Sequence, residues 1–226
     1  GFGALAQQLA DGLPIHTGIS VTSVALEGSV WRAVSADGFV VEAAALLLTP
    51  PVPQSLALLD RGGVEVPPAA RSALGIIQYG PCLCGLFAIE GTTLLPPPGV
   101  LQRPDAPIAW IADTRQKALS LEMGVLPVHT GIAAAEARRR QEDAAILAWM
   151  WAEVSPWLKR GTVSDAARLI RWREAIPLQV HPNPYLSIET LPAPLLFAGD
   201  AFAGPRVEGA ALSGMAAADA LLGRVI

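Results

Sequence analysis

Residues Leu195 to Leu222 read LLFAGDAFAGPRVEGAALSGMAAADALL, and the order of residue types in this stretch decides the fold. The apolar run Leu195-Leu196-Phe197-Ala198 is a short strand broken by Gly199-Asp200. A glycine-containing loop follows, then Pro205 at a position where a helix start tolerates proline, and a helix from about Arg206 to Leu222. The first turn of such a helix carries backbone N–H groups with no helical acceptor, a partly positive end that meets an anion or an electron-rich carbonyl. Asp200, at the strand end, can accept hydrogen bonds from hydroxyls, and Arg206 complements negative charge. Along the helix, Val207, Ala210, Ala211, Gly214, Ala217, Ala218 and Leu221 recur at spacings of three and four, nearly all of them small. Tight packing of the helix on a sheet explains that stripe. Close approach of a dinucleotide explains the stripe together with Asp200 and the helix start.

Outward from this element, the chain alternates short strands and helices. Residues 3–11 read as a helix ending near Gly12. Strand-like runs at 19–26, 30–35 and 40–48 are joined by Glu27-Gly28 and Asp37-Gly38, the second a good hairpin signal. The end of the third run, Ala43 to Leu48, is apolar on both faces and is expected to be buried in a sheet. A helix is expected over 54–59. Gly62-Gly63, Pro67-Pro68 and Pro96-Pro97-Pro98-Gly99 then punctuate strands at about 81–89, 108–112 and 121–129. Helical periodicity covers 132–158, through Leu147, Met150, Trp151, Val154 and Leu158, and a further strand spans 167–177. The expected division is 1–61 with 191–226 as one domain and 62–190 as an insert in it.

Composition narrows the function. The 226 residues are 52% hydrophobic and 16% charged, which suits a well-buried globular chain. A net charge of −4, with Arg138-Arg139-Arg140 as the single basic cluster, argues against nucleic acid as a partner. The uncharged run Ala43 to Leu59 is broken by Pro50, Pro51 and Pro53, so no membrane-inserted helix is expected, and a cytoplasmic location is. Cys82 and Cys84, on one face of a strand, read as buried free thiols. They are too few for a zinc site, and His16, His129 and His181 are too scattered to suggest a metal cluster, so no metal is expected.

The GD pair followed by R-V-E-G-A, then S-G and A-A, resembles the C-terminal flavin motif of renalase-like and flavin-containing amine oxidases. The resemblance implies an α/β fold: a partial FAD-binding Rossmann-like domain, with an α+β substrate domain built on a largely antiparallel sheet with helices on one face. Asp200, with Gly199, would contact the ribityl or pyrophosphate part of FAD. Arg206 and Val207, with Glu208, Gly209 and Ala210 behind them, would sit at the ribityl chain and the pyrimidine edge of the flavin ring. I-H-T-G-I-S-V-T-S-V resembles the family's strand pair that brackets adenine, which places a contact on Val21. L-L-L-T-P-P-V-P-Q resembles the stretch leaving the FAD sheet, with Thr49 and Pro50 near the cofactor. Leu101–Asp113 and Arg171–Pro177 resemble substrate-domain strands.

Two departures qualify the expectation. The family's opening strand and G-x-G-x-x-G turn are absent from these residues; Gly1-Phe2-Gly3 is not such a turn. The chain starts without methionine, so it is expected to be the C-terminal part of the enzyme, with an N-terminal segment of the same protein as a partner and FAD affinity weakened without it. The second departure is Glu174, where the family tends to carry an aromatic; it shares a strand face with Trp172. Both are candidates for the substrate pocket, where Glu174 would favour a cationic or amide-bearing small molecule; the alternative is an exposed carboxylate at a sheet edge. The expected reaction is hydride transfer from an amine or reduced nicotinamide-type substrate to flavin, with reoxidation by oxygen. Two other readings stand beside it: a non-enzymatic remnant without flavin, and a flavin desaturase or oxidase acting on a lipid-like substrate.

Overall fold

The computed structural model describes residues 2–117, 124–202 and 204–225. The chain opens with α1 (Phe2–Leu9), β1 (Val21–Glu27), β2 (Val30–Ser35), β3 (Val40–Ala43), β4 (Leu46–Leu48), α2 (Val52–Arg61) and α3 (Pro68–Gly75). Its middle comprises β5 (Gln78–Glu90), β6 (Val100–Gln102), β7 (Ile108–Ala112), β8 (Gly124–Thr130), α4 (Ile132–Arg138), α5 (Asp143–Val154) and β9 (Val163–Gln179). It closes with β10 (Leu186–Ile188), β11 (Leu195–Phe197) and α6 (Val207–Val225). Residues 121–123 of the strand expected at 121–129 lie outside the described residues. Internal contacts divide the chain into a central unit, Gly80–Ile176, and a discontinuous unit made of Phe2–Tyr79 and the segment from Pro177 onward. The sequence places these boundaries at 61/62 and 190/191; in the structure α3 and β10 pack with the discontinuous unit, while β5 crosses the first boundary and β9 the second.

In the discontinuous unit, β1, β2 and β3 form an antiparallel meander. Its turns fall at the Glu27-Gly28 and Asp37-Gly38 signals, where the glycines take φ of 63° and 85°. A second sheet has the order β10-β11-β4, with β11 parallel to β4 and antiparallel to β10. Trp31, Leu59, Leu74, Leu195, Phe197 and Phe202 lie in one core cluster, and the buried Trp31 Nε1 donates to the Pro194 carbonyl at 2.9 Å. Both proline pairs that punctuate the sequence start helices: Pro51 caps α2 and Pro67 caps α3. Proline lacks only an N–H that the first turn leaves unpaired anyway, which is why α3 was hidden behind Pro67-Pro68.

The single buried strand expected over 40–48 does not form. Residues 44–45 bend, so β3 stays with the meander and is exposed throughout, while β4 crosses to the parallel pair and buries only Leu48 fully. Alanines 43–45 carry too little apolar surface to hold a strand in a core, so pairing partners decide the split.

The central unit is a five-stranded sheet in the order β6-β7-β8-β5-β9, with the pairs β6–β7, β7–β8 and β8–β5 antiparallel. Burial alternates along β8: Leu126, Val128 and Thr130 point to one side, Val125, Pro127 and His129 to the other. The first side packs under α4 and α5, with Phe87, Leu126, Val128, Ile146, Met150 and Val154 in one cluster. Helices therefore cover this one face of a largely antiparallel sheet, which agrees with the fold class expected from the sequence. The one helix read over 132–158 is instead two, plus a 3₁₀ turn at Ser155–Trp157. Arg171 holds the break: its guanidinium donates to the carbonyls of Arg139 and Gln141, at 2.8 and 2.7 Å, and pairs with Asp143 at the start of α5. Carbonyls freed at the end of α4 thus find a charged donor. Cys82 and Cys84 are buried free thiols. Among the described residues no helix is long and apolar enough to cross a membrane.

Candidate functional site

β4 and β11 run parallel and end side by side, Phe197 opposite Leu48. Their carboxyl ends deliver Thr49 and Gly199-Asp200 to one spot, the place where open α/β sheets take their ligands. Gly199 has a φ of 131°, which an L side chain rarely adopts, and a Cβ there would lie 3.3 Å from the Thr49 carbonyl. The chain then returns through Gly204 and Pro205 into α6, whose first hydrogen bond runs from the Ala210 N–H to the Arg206 carbonyl at 2.8 Å. Val207, Glu208 and Gly209 form the first turn of α6, where backbone N–H groups have no acceptor within the helix.

A cleft of about 840 Å³ opens between these strand ends and the start of α6. Seven of the expected residues line it: Thr49, Gly199, Asp200, Arg206, Val207, Glu208 and Ala210. Pro51, Pro205 and Gly214 complete the lining. Gly214 stands seven residues after Val207 and four after Ala210, a helical spacing that could have identified it. A Cβ at Gly214 would meet nothing within 4 Å, so its missing side chain leaves the cleft wall flat. Gly209 does not line the cleft but shapes it: a Cβ there would fall 2.3 Å from the Gly204 carbonyl oxygen. That contact lets the first turn of α6 lie against the loop. Pro50 is half-buried beside the cleft, its carbonyl accepting from Ser55 Oγ at 2.9 Å. Val21 stands apart, 40% exposed at the start of β1.

Burial pushes the Asp200 carboxyl above the usual carboxylate range, against the pull of the Asp200 and Ala201 backbone N–H groups. Arg206 and Glu208 are exposed at the helix start. Ser213, to which the sequence assigns no role, fixes the element: fully buried on α6, it accepts from the Gly199 N–H at 2.9 Å and donates to the Pro184 carbonyl. The strand end and the helix are thus tied by one hydroxyl.

The face that α6 buries differs from the expected stripe. Ser213 and Ala217 are at 0% exposure, while Val207, Ala211 and Ala218 are exposed. A run of small residues fits a neighbour on either side, and the Ser213 hydrogen bonds choose the side. Leu212, Met215 and Leu222 are consequently left outward at 56%, 65% and 58% exposure.

In the central unit, Trp172 lies on β9 at 42% exposure with its ring edge-on to His129, and Glu174, half-buried, is two residues further along the strand. Among the described residues no group of three or more His, Cys, Asp or Glu side chains is arranged to hold a metal ion.

The sequence model of the family described as flavin containing amine oxidoreductase matches residues 1–222. No curated protein is similar enough in sequence to count as a match. Among solved structures, the chain is similar to a "Putative protoporphyrinogen oxidase" from Exiguobacterium sp. 255-15, with a TM-score of 0.67 at 15% identity, over 98% of this chain and 51% of that one. An oxidoreductase from Methanosarcina mazei aligns with a TM-score of 0.59 at 17% identity, over 91% of this chain and 50% of that one. A reduced UDP-galactopyranose mutase aligns with a TM-score of 0.54 at 15% identity, over 78% and 40%. At these identities the likeness is one of fold, and the chain spans about half the length of the structures it matches.

Proposed function

The chain belongs to the flavin containing amine oxidoreductase family, and from that premise we propose that the cleft between β4, β11 and α6 is its share of an FAD site in a hydride-transferring oxidoreductase. The family's cofactor is a flavin. The observation that carries the reading is the convergence of seven expected positions on one cleft at the carboxyl ends of two parallel strands. The residues present suit such a group. Gly209 against Gly204 and the bare wall at Gly214 leave room for a flat ligand along the first turn of α6. Asp200 can take hydroxyl hydrogens of a sugar-like chain, and a helix start with Arg206 beside it can meet a phosphate or a ring carbonyl. When bound, the flavin accepts a hydride from the substrate carbon and passes the electrons on, oxygen being the acceptor in this reading. The protein's own share is to hold the ring edge at the helix start and to keep its negative charge stabilised there.

A G-x-G-x-x-G turn, absent from these 226 residues, would complete the pyrophosphate site in this reading. The outward row Leu212, Met215 and Leu222 on α6 supports a covering segment, because three large apolar side chains on one helix face are otherwise left to water. The renalase-like branch, with an amine or reduced nicotinamide-type substrate, is the finer assignment. It rests on the ordered matches at Val21, Thr49-Pro50, 101–113 and 171–177.

The test is anaerobic: the flavin-loaded protein is mixed in turn with primary amines and with reduced nicotinamides, and bleaching of the visible flavin band is followed. Bleaching that reverses on admitting air supports an oxidase with that substrate. A protein that holds no flavin contradicts the reading and supports the remnant. A flavin bleached by neither class, but by a conjugated lipid-like alkene, moves it to the desaturases.

A further inference from the structure

The segment His181-Pro182-Asn183-Pro184 does not line the cleft, yet it holds the loop that carries Asp200 from both sides. That loop is a turn, closed by the Phe202 N–H donating to the Gly199 carbonyl at 3.1 Å, with Asp200 and Ala201 at its central positions. Before Asp200, the Gly199 N–H reaches Ser213 Oγ, which donates to the Pro184 carbonyl. After Asp200, the Ala201 carbonyl accepts from the His181 N–H at 2.8 Å. The His181 ring packs on the Phe202 ring, 5.5 Å between centroids. All these residues belong to the discontinuous unit.

The two grips lie three residues apart on one segment, so that segment's conformation sets their spacing. Pro182 and Pro184 fix two of its φ angles. The His181 side chain fixes the turn between them: its Nδ1 lies 3.2 Å from the Asn183 nitrogen and accepts that N–H. An Asn or Asp side chain makes the same bond in an Asx turn, to the N–H two residues on; here an imidazole makes it. The ring proton then sits on Nε2. His181 is 7% exposed and Phe202 1%, so packing as well as hydrogen bonding keeps the imidazole in place.

We propose that His181 is a positioning residue for the cofactor: by bracing the His181–Pro184 turn it spaces the two grips and so aims Asp200 into the cleft. The proposal rests on the flavin reading only for what Asp200 meets there; the turn and its grips stand on contacts within one unit. Asp200 is half-buried, and that burial raises its pKa, which gives a readout of its position that needs no flavin. A loosened loop lets the carboxyl reach water, and the shift shrinks.

The experiment compares two variants. His181→Phe keeps a ring against Phe202 and removes the acceptor; His181→Asn removes the ring and supplies an Asx-turn acceptor. Two quantities are read in each: the titration of the Asp200 carboxyl by carbon NMR in flavin-free protein, and the affinity for added FAD. His181→Phe is expected to bring the Asp200 pKa back toward the ordinary carboxyl range. It should also weaken FAD binding by about fivefold or more, as loss of one buried hydrogen bond does. His181→Asn should keep both quantities close to wild type. In an Asp200→Ala background the FAD penalty of His181→Phe should vanish, because no carboxylate is left to aim. An unmoved Asp200 titration in His181→Phe overturns the proposal, as does an FAD penalty that persists in Asp200→Ala. Should His181→Phe not fold, His181→Asn decides: loss of the Asp200 shift or of FAD affinity overturns the proposal, and retention of both supports it. A wild-type chain that binds no FAD contradicts the cofactor reading, and the Asp200 titration still decides on the turn.

Discussion

Two helices of this chain use apolar residues in opposite ways. On α5, Ile146, Met150 and Val154 recur every four residues and all three are at 0% exposure. On α6, the fully buried positions among the described residues are Ser213 and Ala217, while Leu212, Met215 and Leu222 face outward. The first helix finds its partner, a sheet face, within the same unit. The second is anchored by a hydroxyl and an alanine, packs Leu221 only partly, and leaves Leu212, Met215 and Leu222 facing outward. Burial of large side chains marks a helix built for stability; burial of small ones marks a helix positioned for what its first turn and outer face can touch.

The comparison can be broken most directly by truncating one methionine on each helix. In these 226 residues Met150→Ala is expected to cost about 2–5 kcal/mol, as removal of a fully packed side chain does. Met215→Ala should stay within about 0.5 kcal/mol, as for exposed positions. Denaturant unfolding of both variants reads the difference. Equal costs would mean that the outer face of α6 is packed after all.

A smaller effect sharpens the role of the anchor. Ser213→Ala leaves the Gly199 N–H and the Pro184 carbonyl without their shared partner. The expected loss is about 1–3 kcal/mol, the cost of unsatisfied buried groups. An unchanged melting temperature would show that the hydroxyl does not tie the strand end to the helix.

The smallest expected effect has the opposite sign. The Asp200 pKa is raised by burial, so the folded state binds this proton more tightly than the unfolded chain does. The ionised group therefore opposes folding above its folded pKa, and the opposition fades as pH falls through that value toward the ordinary one. Asp200→Asn should raise the melting temperature slightly at neutral pH. The gain should shrink as pH approaches ~4, the unperturbed carboxyl range. A carboxylate kept at a cost to stability is the pattern of a ligand-binding group. A destabilised Asp200→Asn would instead make it a structural residue.

The strand–Gly-Asp–helix element was legible because each of its parts is local. An apolar run, a glycine at positive φ, a proline before the first turn and a helical repeat need no knowledge of distant residues. What α6 buries was not legible, since a small-residue repeat suits either side and the choice rests on Ser213 meeting residues fourteen and twenty-nine positions away. The break between α4 and α5 was hidden for the same reason: it depends on Arg171, some 30 residues downstream. The irregularity in the β7–β8 register, where Ile108 faces Thr130 and Trp110 faces His129, was hidden because strict alternation is the only rule a strand's sequence offers. The expected residues that line the cleft are Thr49 and positions within Gly199–Ala210, both local segments; Pro51 and Gly214, which also line it, lie two residues after Thr49 and four after Ala210.

The central claim is that the start of α6, drawn close to its loop by Gly209, is a flavin cradle. Gly209→Val tests it most directly, because the new side chain must displace the Gly204 carbonyl while most of the fold is untouched. Equilibrium titration of FAD into the wild-type and variant proteins, with far-ultraviolet circular dichroism as the check on folding, is the measurement. The account predicts a loss of at least about tenfold in FAD affinity with the dichroism spectrum preserved, a change of about 1.4 kcal/mol. Equal affinities in two folded proteins would contradict it.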